Sequence, residues 1–317
     1  MSQGFIFPTL GNLTGDVTSS GLATTLAQKN IDHVCNGRLT LTTAVPVPPT
    51  DVTAATRIYF TPYKGNRISL FDGSVWSTME FAEIYIDIGT LSAGDALLPH
   101  DIFVYNNNGT VTLEKQVWAS TTARDTSYDL IFQDGVPSKE GALTRHYLGT
   151  FMPRSTTTTE DSATYRYLWN YYNRMPRRLM CYEDTSSYTY VDPASNYREA
   201  NGDSTYGISR FGFVIGWPEE CVQAINLQGP IYASANGFVA VGIGLDRANN
   251  NDGNGSSACY IIGGAYTGHS VCVFDAPCPI GKHYLARSEW GDQNPGTLTF
   301  YGPVGASASG MSGHVWG

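Results

Sequence analysis

The chain has 317 residues, 42% of them apolar and only 15% charged, and its 19 Lys and Arg against 28 Asp and Glu give a formal net charge of −9. An average globular protein has roughly 25% charged residues, so in this chain neutral polar residues replace part of the usual charged share. A negative field of this kind repels phosphate backbones, so we expect no nucleic-acid partner.

The first residues, MSQGFIFPTL, lack a basic segment followed by an apolar run, and no apolar run of ~18 residues occurs anywhere in the chain. We expect neither a secretion signal nor membrane insertion, and synthesis in a cytoplasm. The composition, rich in Thr, Ser, Asn and Tyr, is nevertheless typical of extracellular adhesive β-proteins. A protein that folds in a host cytoplasm and leaves it within a particle fits both observations.

Residues 1–36 include GNLTGDVTSSGLATTLAQKNI, which has too few apolar side chains to form a core. We predict an extended N-terminal anchor here that attaches to another protein, the alternative being a disordered tail. The predicted contact residues of this anchor are Leu13, Thr14, Gly15, Asp16 and Val17.

Residues 37–151 show the period-two pattern of strands with one buried face, as in FAEIYIDI. Asp72-Gly73 separates RISLF from SVWSTM, and Asn108-Gly109 separates DIFVY from TVTLE. Both pairs tolerate the positive φ of tight turns, so they predict two hairpins. We predict a small antiparallel β barrel or sandwich.

Residues 152–178 are predicted to bridge two domains. The run Thr156–Thr159 is polar and β-branched, which favours an extended linker, and YRYLWNYYNRMPRR follows it. This block is either a platform that contacts sugars or a neighbouring subunit, or a strand whose aromatic rings pack between the domains, and we favour packing. The residues concerned are Trp169, Tyr171, Tyr172, Arg174 and Arg177.

Residues 179–317 contain short apolar runs separated by turn residues: FGFVIGW, GFVAVGIGLD, SACYIIGGAY, HSVCVFDAP and GTLTFYGPV. They predict a second antiparallel domain, a C-terminal jelly-roll-like sandwich, with a terminal strand at Val315-Trp316. The fold class is therefore all-β with two domains. Glycines within these runs indicate close backbone approach, for which packing around an oligomer axis is the expected reason. They are Gly212, Gly216, Gly242, Gly244, Gly263 and Gly264.

The six cysteines form no C-x-x-C pair, so we expect buried free thiols. One stretch, H-x2-C-x5-C-x4-H, offers four potential zinc ligands, but its spacing matches no common zinc module and its apolar residues predict a core strand. We therefore expect no metal and no cofactor. The four residues are His269, Cys272, Cys278 and His283.

The sequence contains no G-x-S-x-G, H-E-x-x-H or P-loop motif, and we predict that the protein is not an enzyme. The acid pairs Glu160-Asp161 and Glu219-Glu220 are adjacent, so in a strand they face opposite sides. The Asp246–Ser257 loop lacks the acids of a calcium loop. We expect an exposed hairpin loop with three contact candidates, Asn250, Asn251 and Asp252.

Four blocks carry a family resemblance: GDVTSSGLATTLA, GRLTLTTAVPV, IYFTPYKGNRISLFDGSVW and STTTTEDSATYRYLWNYYNRMPR. In this order, and together with further blocks over most of the chain, they are similar to a family of bacteriophage virion structural proteins described as tail fibre, head fibre or decoration-like. The resemblance implies a homo-oligomeric, trimeric component of the virion. It also implies attachment to capsid or tail proteins through the N-terminus, and it supplies no active-site residues.

Three functions follow. The first is a short fibre or receptor-binding protein on the outside of the virion, touching a host surface glycan. The alternative is a capsid decoration or head-fibre protein that reinforces the shell, which the lack of heptads and internal repeats favours because it indicates a compact body. A glycan depolymerase ranks third, because no regular repeat predicts a solenoid.

Overall fold

The computed structural model describes residues 17–20, 23–26, 33–190, 196–218, 221–264, 269–292, 296–303 and 309–317. Regular structure in these ranges is β-strand, apart from two 3-10 turns at Asp95–Leu97 and Ala200–Gly202, and no α-helix occurs in them. The same ranges contain no helix long and apolar enough to cross a membrane. The predicted all-β class is confirmed.

The strands are numbered in chain order. The first sixteen are β1 (Val17–Ser20), β2 (Ala23–Leu26), β3 (Gly37–Thr40), β4 (Val52–Ala55), β5 (Arg57–Pro62), β6 (Arg67–Phe71), β7 (Trp76–Glu80), β8 (Ile84–Asp87), β9 (His100–Asn107), β10 (Thr110–Val117), β11 (Leu130–Gln133), β12 (Val136–Lys139), β13 (Ala142–Phe151), β14 (Thr159–Asp161), β15 (Tyr165–Arg166) and β16 (Leu168–Asn170). The others are β17 (Pro176–Tyr182), β18 (Ser187–Tyr190), β19 (Arg198–Glu199), β20 (Arg210–Ile215), β21 (Cys221–Gln228), β22 (Ile231–Ala233), β23 (Gly237–Leu245), β24 (Gly255–Ser256), β25 (Ala258–Ile261), β26 (Ser270–Pro277), β27 (Gly281–Gly291), β28 (Leu298–Tyr301) and β29 (Gly310–Trp316).

The anchor predicted for residues 1–36 falls largely outside the described residues, and so do four of its five contact candidates, Leu13, Thr14, Gly15 and Asp16. Val17 begins β1, which pairs antiparallel with β2. Residues 33–36 belong to the folded body, because the Asn36 carbonyl accepts two backbone hydrogen bonds and Cys35 forms a bridge with Ile68. The folded body therefore includes His33 and does not begin at Gly37.

Both predicted hairpins are confirmed. Strands β6 and β7 pair around Asp72-Gly73, and β9 and β10 pair around Asn108-Gly109. Gly73, Asn108 and Gly109 have φ values of 107°, 50° and 92°, as the turn chemistry requires.

The N-terminal half packs three sheets around one core. These sheets have the strand orders β3-β5-β8, β6-β7 and β10-β9-β13-β12-β11, and β16 pairs with β13. Alternate side chains of β9 point in opposite directions. Ile102 and Val104 enter this core, whereas Phe103 enters the C-terminal one. The central strands of the third sheet are thus buried on both faces.

The C-terminal half is a sandwich. One sheet has the order β25-β23-β27-β20-β15-β14-β4, with β19 beside β27, and the other has the order β17-β29-β21-β26-β24. Their inner faces share one core, which includes Phe213 and Ile243 from the first sheet and Leu179, Val222 and Phe274 from the second. A smaller sheet, β18-β28-β22, closes one end around Phe300. The pairing of β15 with β20 is parallel, whereas the other ladders within this sandwich are antiparallel.

The predicted bridge, residues 152–178, contributes strands to the sheets of both halves. β16 pairs with β13 of the N-terminal half, β15 pairs with β20 of the C-terminal half, and β14 pairs with β4, which precedes the bridge in the chain. Thr159, expected in an extended linker, is a buried strand residue. The hydrogen-bonded sheets therefore show no break at residue 151 or 178.

Most of the glycines expected within strands are explained by contacts inside one chain, although Gly216, Gly263 and Gly264 lie outside the strands. A Cβ on Gly216 would overlap the Tyr147 hydroxyl, and one on Gly244 would overlap the Arg247 carbonyl oxygen. A Cβ on Gly242 or Gly263 would also overlap a neighbouring atom, and one on Gly212 would be in tight contact at 3.0 Å. Gly264 has a φ of +80° and open space around it. The predicted close approach is therefore confirmed at all of these glycines except Gly264, and an oligomer axis is not needed to account for it.

Candidate functional site

The outer face of the five-stranded sheet exposes apolar side chains in adjacent rows. In one row Met180, Ser312, Ile225 and Val273 lie side by side on β17, β29, β21 and β26, and in the next row Tyr182, Gly310, Leu227 and Val271 do so. Ile225 is 50% exposed and Leu227 is 38% exposed. Contiguous apolar surface of this kind on a protein marks an interaction site. We call these eight residues, together with the polar row next to them, the outer face.

Strand β21 contributes to this face because its inward side changes along the strand: Val222 and Ala224 enter the core, and two amides follow them on the same side. Asn226 and Gln228 are each 1% exposed, whereas Ile225 and Leu227 between them face solvent. Burying amides and exposing aliphatic side chains is the reverse of what the hydrophobic effect favours. Something on the inner side must therefore hold the strand in this register.

Arg287, fully buried on β27, supplies that constraint. Its Nη2 donates to Gln228 Oε1 at 3.1 Å, its Nε donates to Asn226 Oδ1 at 3.4 Å, and its Nη1 lies 3.4 Å from Glu183 Oε2. Asn226 Nδ2 also donates to the Gly242 carbonyl oxygen at 2.9 Å. A slip of one residue would turn Ile225 inward and remove the two amide partners of a buried guanidinium, so the network favours the register that leaves Ile225 and Leu227 outside.

A polar row borders the apolar rows. Arg178, His314, Gln223 and Asp275 lie side by side across β17, β29, β21 and β26, with Arg178 and Asp275 at opposite ends. Gln223 Nε2 donates to Asp275 Oδ2 at 3.1 Å, and Arg178 Nη2 donates to the Tyr182 hydroxyl at 3.1 Å. A shallow cavity of about 340 Å³ opens in the face. Its lining residues are Arg178, Gln223, Ala224, Ile225, Ser312, Gly313 and His314.

A second cavity, of about 510 Å³, adjoins the outer face at Arg178 and Met180. Arg166 and Arg177 also line it, and both form ion pairs with the same carboxylate. Asp161 accepts from Arg166 Nη1 at 2.9 Å and from Arg177 Nη2 at 2.8 Å. This cavity wall is an ion-pair network that ties β14, β15 and β17 together.

The aromatic block lies between the two halves of the protein. Trp169 is buried and stacks on Tyr147, while the Arg174 guanidinium lies 5.4 Å from the Trp169 ring centroid. Tyr171 contacts Trp217 edge-on, and the Tyr172 hydroxyl lies 2.8 Å from His146 Nε2. Arg177 donates to Asp161. All five residues predicted from this block therefore contact other residues of the protein, as the packing interpretation expects.

The Asn250–Asp252 segment is half-buried and bonds to its own loop and strand. Asn251 Oδ1 accepts from the backbone N–H of Ile243 at 3.1 Å, and Asp252 Oδ2 accepts from that of Leu245 at 2.9 Å. Asn250 Nδ2 donates to Asp252 Oδ1 at 2.9 Å. These side chains hold the loop against β23.

The four potential zinc ligands have separate surroundings. His283 Nδ1 lies 2.7 Å from Asp246 Oδ2, Cys272 Sγ lies 3.3 Å from Asn251 Oδ1, and Cys278 is a buried core residue. The His269 carbonyl oxygen accepts a weak bond from the Cys259 thiol. Within the described ranges, no three His, Cys, Asp or Glu side chains are grouped to hold a metal ion.

The acidic side chains that are buried deepest are paired with arginine. Asp101 accepts from Arg124 Nε at 2.7 Å, and Glu289 accepts from Arg198 Nε at 2.6 Å, although burial raises the pKa of Glu289. Glu160 and Asp161 point to different partners, Arg154 and Arg166, as adjacent strand residues should. Glu219-Glu220 lies outside the described residues.

Sequence analysis missed the outer face. Strand β21 was not among the predicted strands, because CVQAINLQ places apolar residues at both even and odd positions. A signal was nevertheless present: Val222 and Ala224 share one face, Ile225 and Leu227 share the other, and a strand apolar on both faces is covered on both.

Comparisons with known proteins identify no family. No protein-family model matches this chain, and no curated protein matches it. Among solved structures, it is similar to the insecticidal delta-endotoxin Cry8Ea1 of Bacillus thuringiensis, with 9% identity, a TM-score of 0.21, and coverage of 88% of this chain and 51% of the toxin. The mosquito-larvicidal Cry4Aa toxin of the same organism gives 8% identity, a TM-score of 0.18, and coverage of 84% and 51%. The chain spans about half the length of these toxins, and likenesses this weak carry no functional argument.

Proposed function

We propose that this protein is a non-enzymatic structural component displayed on the outside of a bacteriophage virion and that it docks through the outer face. The phage assignment is supported by the four sequence blocks quoted above. A surface built from neutral polar groups on an all-β body suits a protein that leaves its host within a particle.

The observation that carries a docking function is that β21 exposes Ile225 and Leu227 while it buries Asn226 and Gln228. The buried Arg287 network holds Ile225 and Leu227 in solvent, at the hydration cost of two aliphatic side chains. Covering the outer face with another protein removes that cost. A binding and assembly function therefore explains a feature that stability of the isolated chain does not.

Within this function, host adhesion is the first proposal, with surface glycans as the ligand class. The second is capsid decoration, which the body itself favours: the two halves share a buried sheet, and the described residues contain no shaft-forming helix or repeat. A depolymerase ranks third, because the deepest acids pair with arginines.

The first experiment locates the protein on the particle. Gold-labelled antibody raised against the purified protein should bind intact virions at one repeated position, on the head for decoration or on the tail for adhesion. Purified protein should adsorb to host cells and block infection if it is an adhesin. Absence of the protein from purified virions, measured by mass spectrometry, would refute the proposal.

The second experiment tests the face. Ile225→Asp and Leu227→Asp should reduce incorporation into particles about tenfold or more, because each places a charge in an apolar contact. Ile131→Asp is the matched control, since Ile131 is 39% exposed on edge strand β11 of another sheet. Equal incorporation of all three variants would rule out docking through the outer face.

A further inference from the structure

The outer face carries a pattern that is complementary to itself. Consider a two-fold axis that runs parallel to the strands, in the plane where two copies would touch. It lies above the midline between β29 and β21, the two central strands of the four. Rotation by 180° about it exchanges β29 with β21 and β17 with β26, while every residue stays at its own level along the strands. Each row of the face then meets the same row of a second copy, read in the opposite direction.

Charge supports this arrangement. In the polar row, Arg178 lies on β17 and Asp275 lies on β26, so rotation places Arg178 of one copy opposite Asp275 of the other, twice in each pair. His314 is likewise placed opposite Gln223. An isologous contact of this kind matches opposite charges by symmetry alone.

Side-chain size supports it as well. In the two central strands of the apolar rows, Ile225 is placed opposite Ser312 and Leu227 opposite Gly310, so two exposed aliphatic side chains of one copy meet the two smallest residues of the other. At the ends of these rows, Met180 meets Val273 and Tyr182 meets Val271. The cavity of about 340 Å³ includes Ser312 in its lining and provides the space for the Ile225 side chain. Large residues opposite small ones are what packing between two sheets requires.

The size of the face sets the expected affinity. Four strands ~4.8 Å apart, each about seven residues long at ~3.3 Å per residue, cover roughly 450 Å². A pair therefore buries about 900 Å² or more, near the lower limit of specific interfaces at roughly 1,000–1,200 Å². We expect a weak pair with a dissociation constant in the micromolar range.

We infer that the outer face binds a second copy of this chain in a two-fold, face-to-face pair held by reciprocal Arg178–Asp275 contacts. This inference rests on the proposed docking role of the face and names its partner. A pair, or an assembly built from pairs, replaces the trimer that the resemblance implies.

Charge exchange tests the pairing on the full chain. Sedimentation velocity over a concentration series should show the wild-type protein passing from one copy to two. Arg178→Asp and Asp275→Arg should each weaken pairing about tenfold or more, because each places like charges opposite one another. An equimolar mixture of the two variants should pair as the wild type does, because both contacts become Asp–Arg.

The mixture also answers the objection that a single variant has misfolded. Arg57→Asp, which makes the same charge change on β5, is the control and should leave pairing unchanged. A wild-type mass of one copy at all concentrations, a mass of three copies, or failure of the mixture to pair would overturn the inference. A full chain that stays monomeric and pairs only after residues 1–32 are deleted would also refute the inference. The native occupant of the face would then be residues 1–32 and not a second copy. Detection of the protein in virions tests the proposed function separately.

Discussion

Arg287 donates through Nη2 to the side-chain oxygen of Gln228 at 3.1 Å, across the interior of the C-terminal sandwich. This bond joins β27 of one sheet to β21 of the other, and with the Arg287 Nε bond to Asn226 it holds two amides of β21 inside the core. The consequence on the opposite side of the strand is an apolar surface. The stability of the core and the availability of the outer face are thus linked through one buried cation.

Arg287→Met should lower the free energy of unfolding by about 3–5 kcal/mol, because it leaves the Glu183 carboxylate and two amides buried without the guanidinium. Arg57→Met is the control: the Arg57–Asp87 pair is closer, at 2.7 Å, but exposed, and we expect a loss of about 0–1 kcal/mol. Urea unfolding measures both. Similar losses would show that the buried network does not stabilise the sandwich.

Gly216→Ala should destabilise the protein by about 1–3 kcal/mol, because the added methyl group would overlap the Tyr147 and Thr150 hydroxyls. The control Gly255→Ala enters open space in β24 and should be close to neutral. Thermal unfolding at several protein concentrations measures the effect. If the loss occurred only at concentrations where the protein self-associates, Gly216 would belong to an interface after all.

His146 should make the protein less stable in acid. Burial lowers its pKa from 6.5 to about 4, and the neutral ring donates from Nδ1 to the Ser69 carbonyl and accepts from the Tyr172 hydroxyl. Between pH 6.5 and about 4, His146 is protonated in the unfolded chain and neutral in the folded chain. The stability tied to the neutral ring is therefore complete above pH 6.5 and falls by up to about 3 kcal/mol as the pH drops to about 4.

The measurement is urea unfolding of wild type and His146→Gln at pH 7 and pH 4.5. The variant should lose about 2–3 kcal/mol less between the two pH values than the wild type does. Identical pH dependence in the two proteins would contradict the prediction.

Cys221 should react with a maleimide in the native protein, while Cys181 should react only after unfolding. Cys221 is exposed, whereas Cys181 is buried and its pKa is raised to about 12 by that burial, which suppresses the reactive thiolate. Mass spectrometry of labelled peptides gives the two rates. Because Cys221 lies on β21, its rate should also fall as protein concentration rises and pairs form. Rapid native labelling of Cys181 would contradict this account.

Deletion of residues 1–32 should leave the folded body intact, because His33 packs on Trp76 and Asn36 bonds to the strands beside it. The unfolding midpoint should therefore match that of the full chain, while incorporation into virions should be lost if this segment is the predicted anchor. Mass spectrometry of purified virions measures how much full-length and how much truncated protein is incorporated. Unchanged incorporation would refute the predicted anchor.

Much of the fold could be read from local patterns. Asx-Gly pairs between apolar runs located both hairpins. Asn108-Gly109 also gave the register, because this two-residue turn pairs Asn107 with Thr110, whereas Phe71 pairs with Trp76 across four residues. Domain limits could not be read in this way. Phe103 and Val104 are neighbours in one strand yet belong to different cores, so no gap in the sequence marks the boundary.

The sequence by itself determined the all-β class and the positions of the two hairpins, since these depend on residues close in the chain or on intrinsic backbone preferences. Crowding at Gly216 depends on Tyr147, which is distant in the chain. Only the tertiary structure decided which face of β21 meets solvent. That choice depends on Arg287, 59 residues from Gln228 in the chain, and on the cost of removing the amide partners of its buried charge. The outer face, and with it the proposed pairing, follows from that long-range constraint.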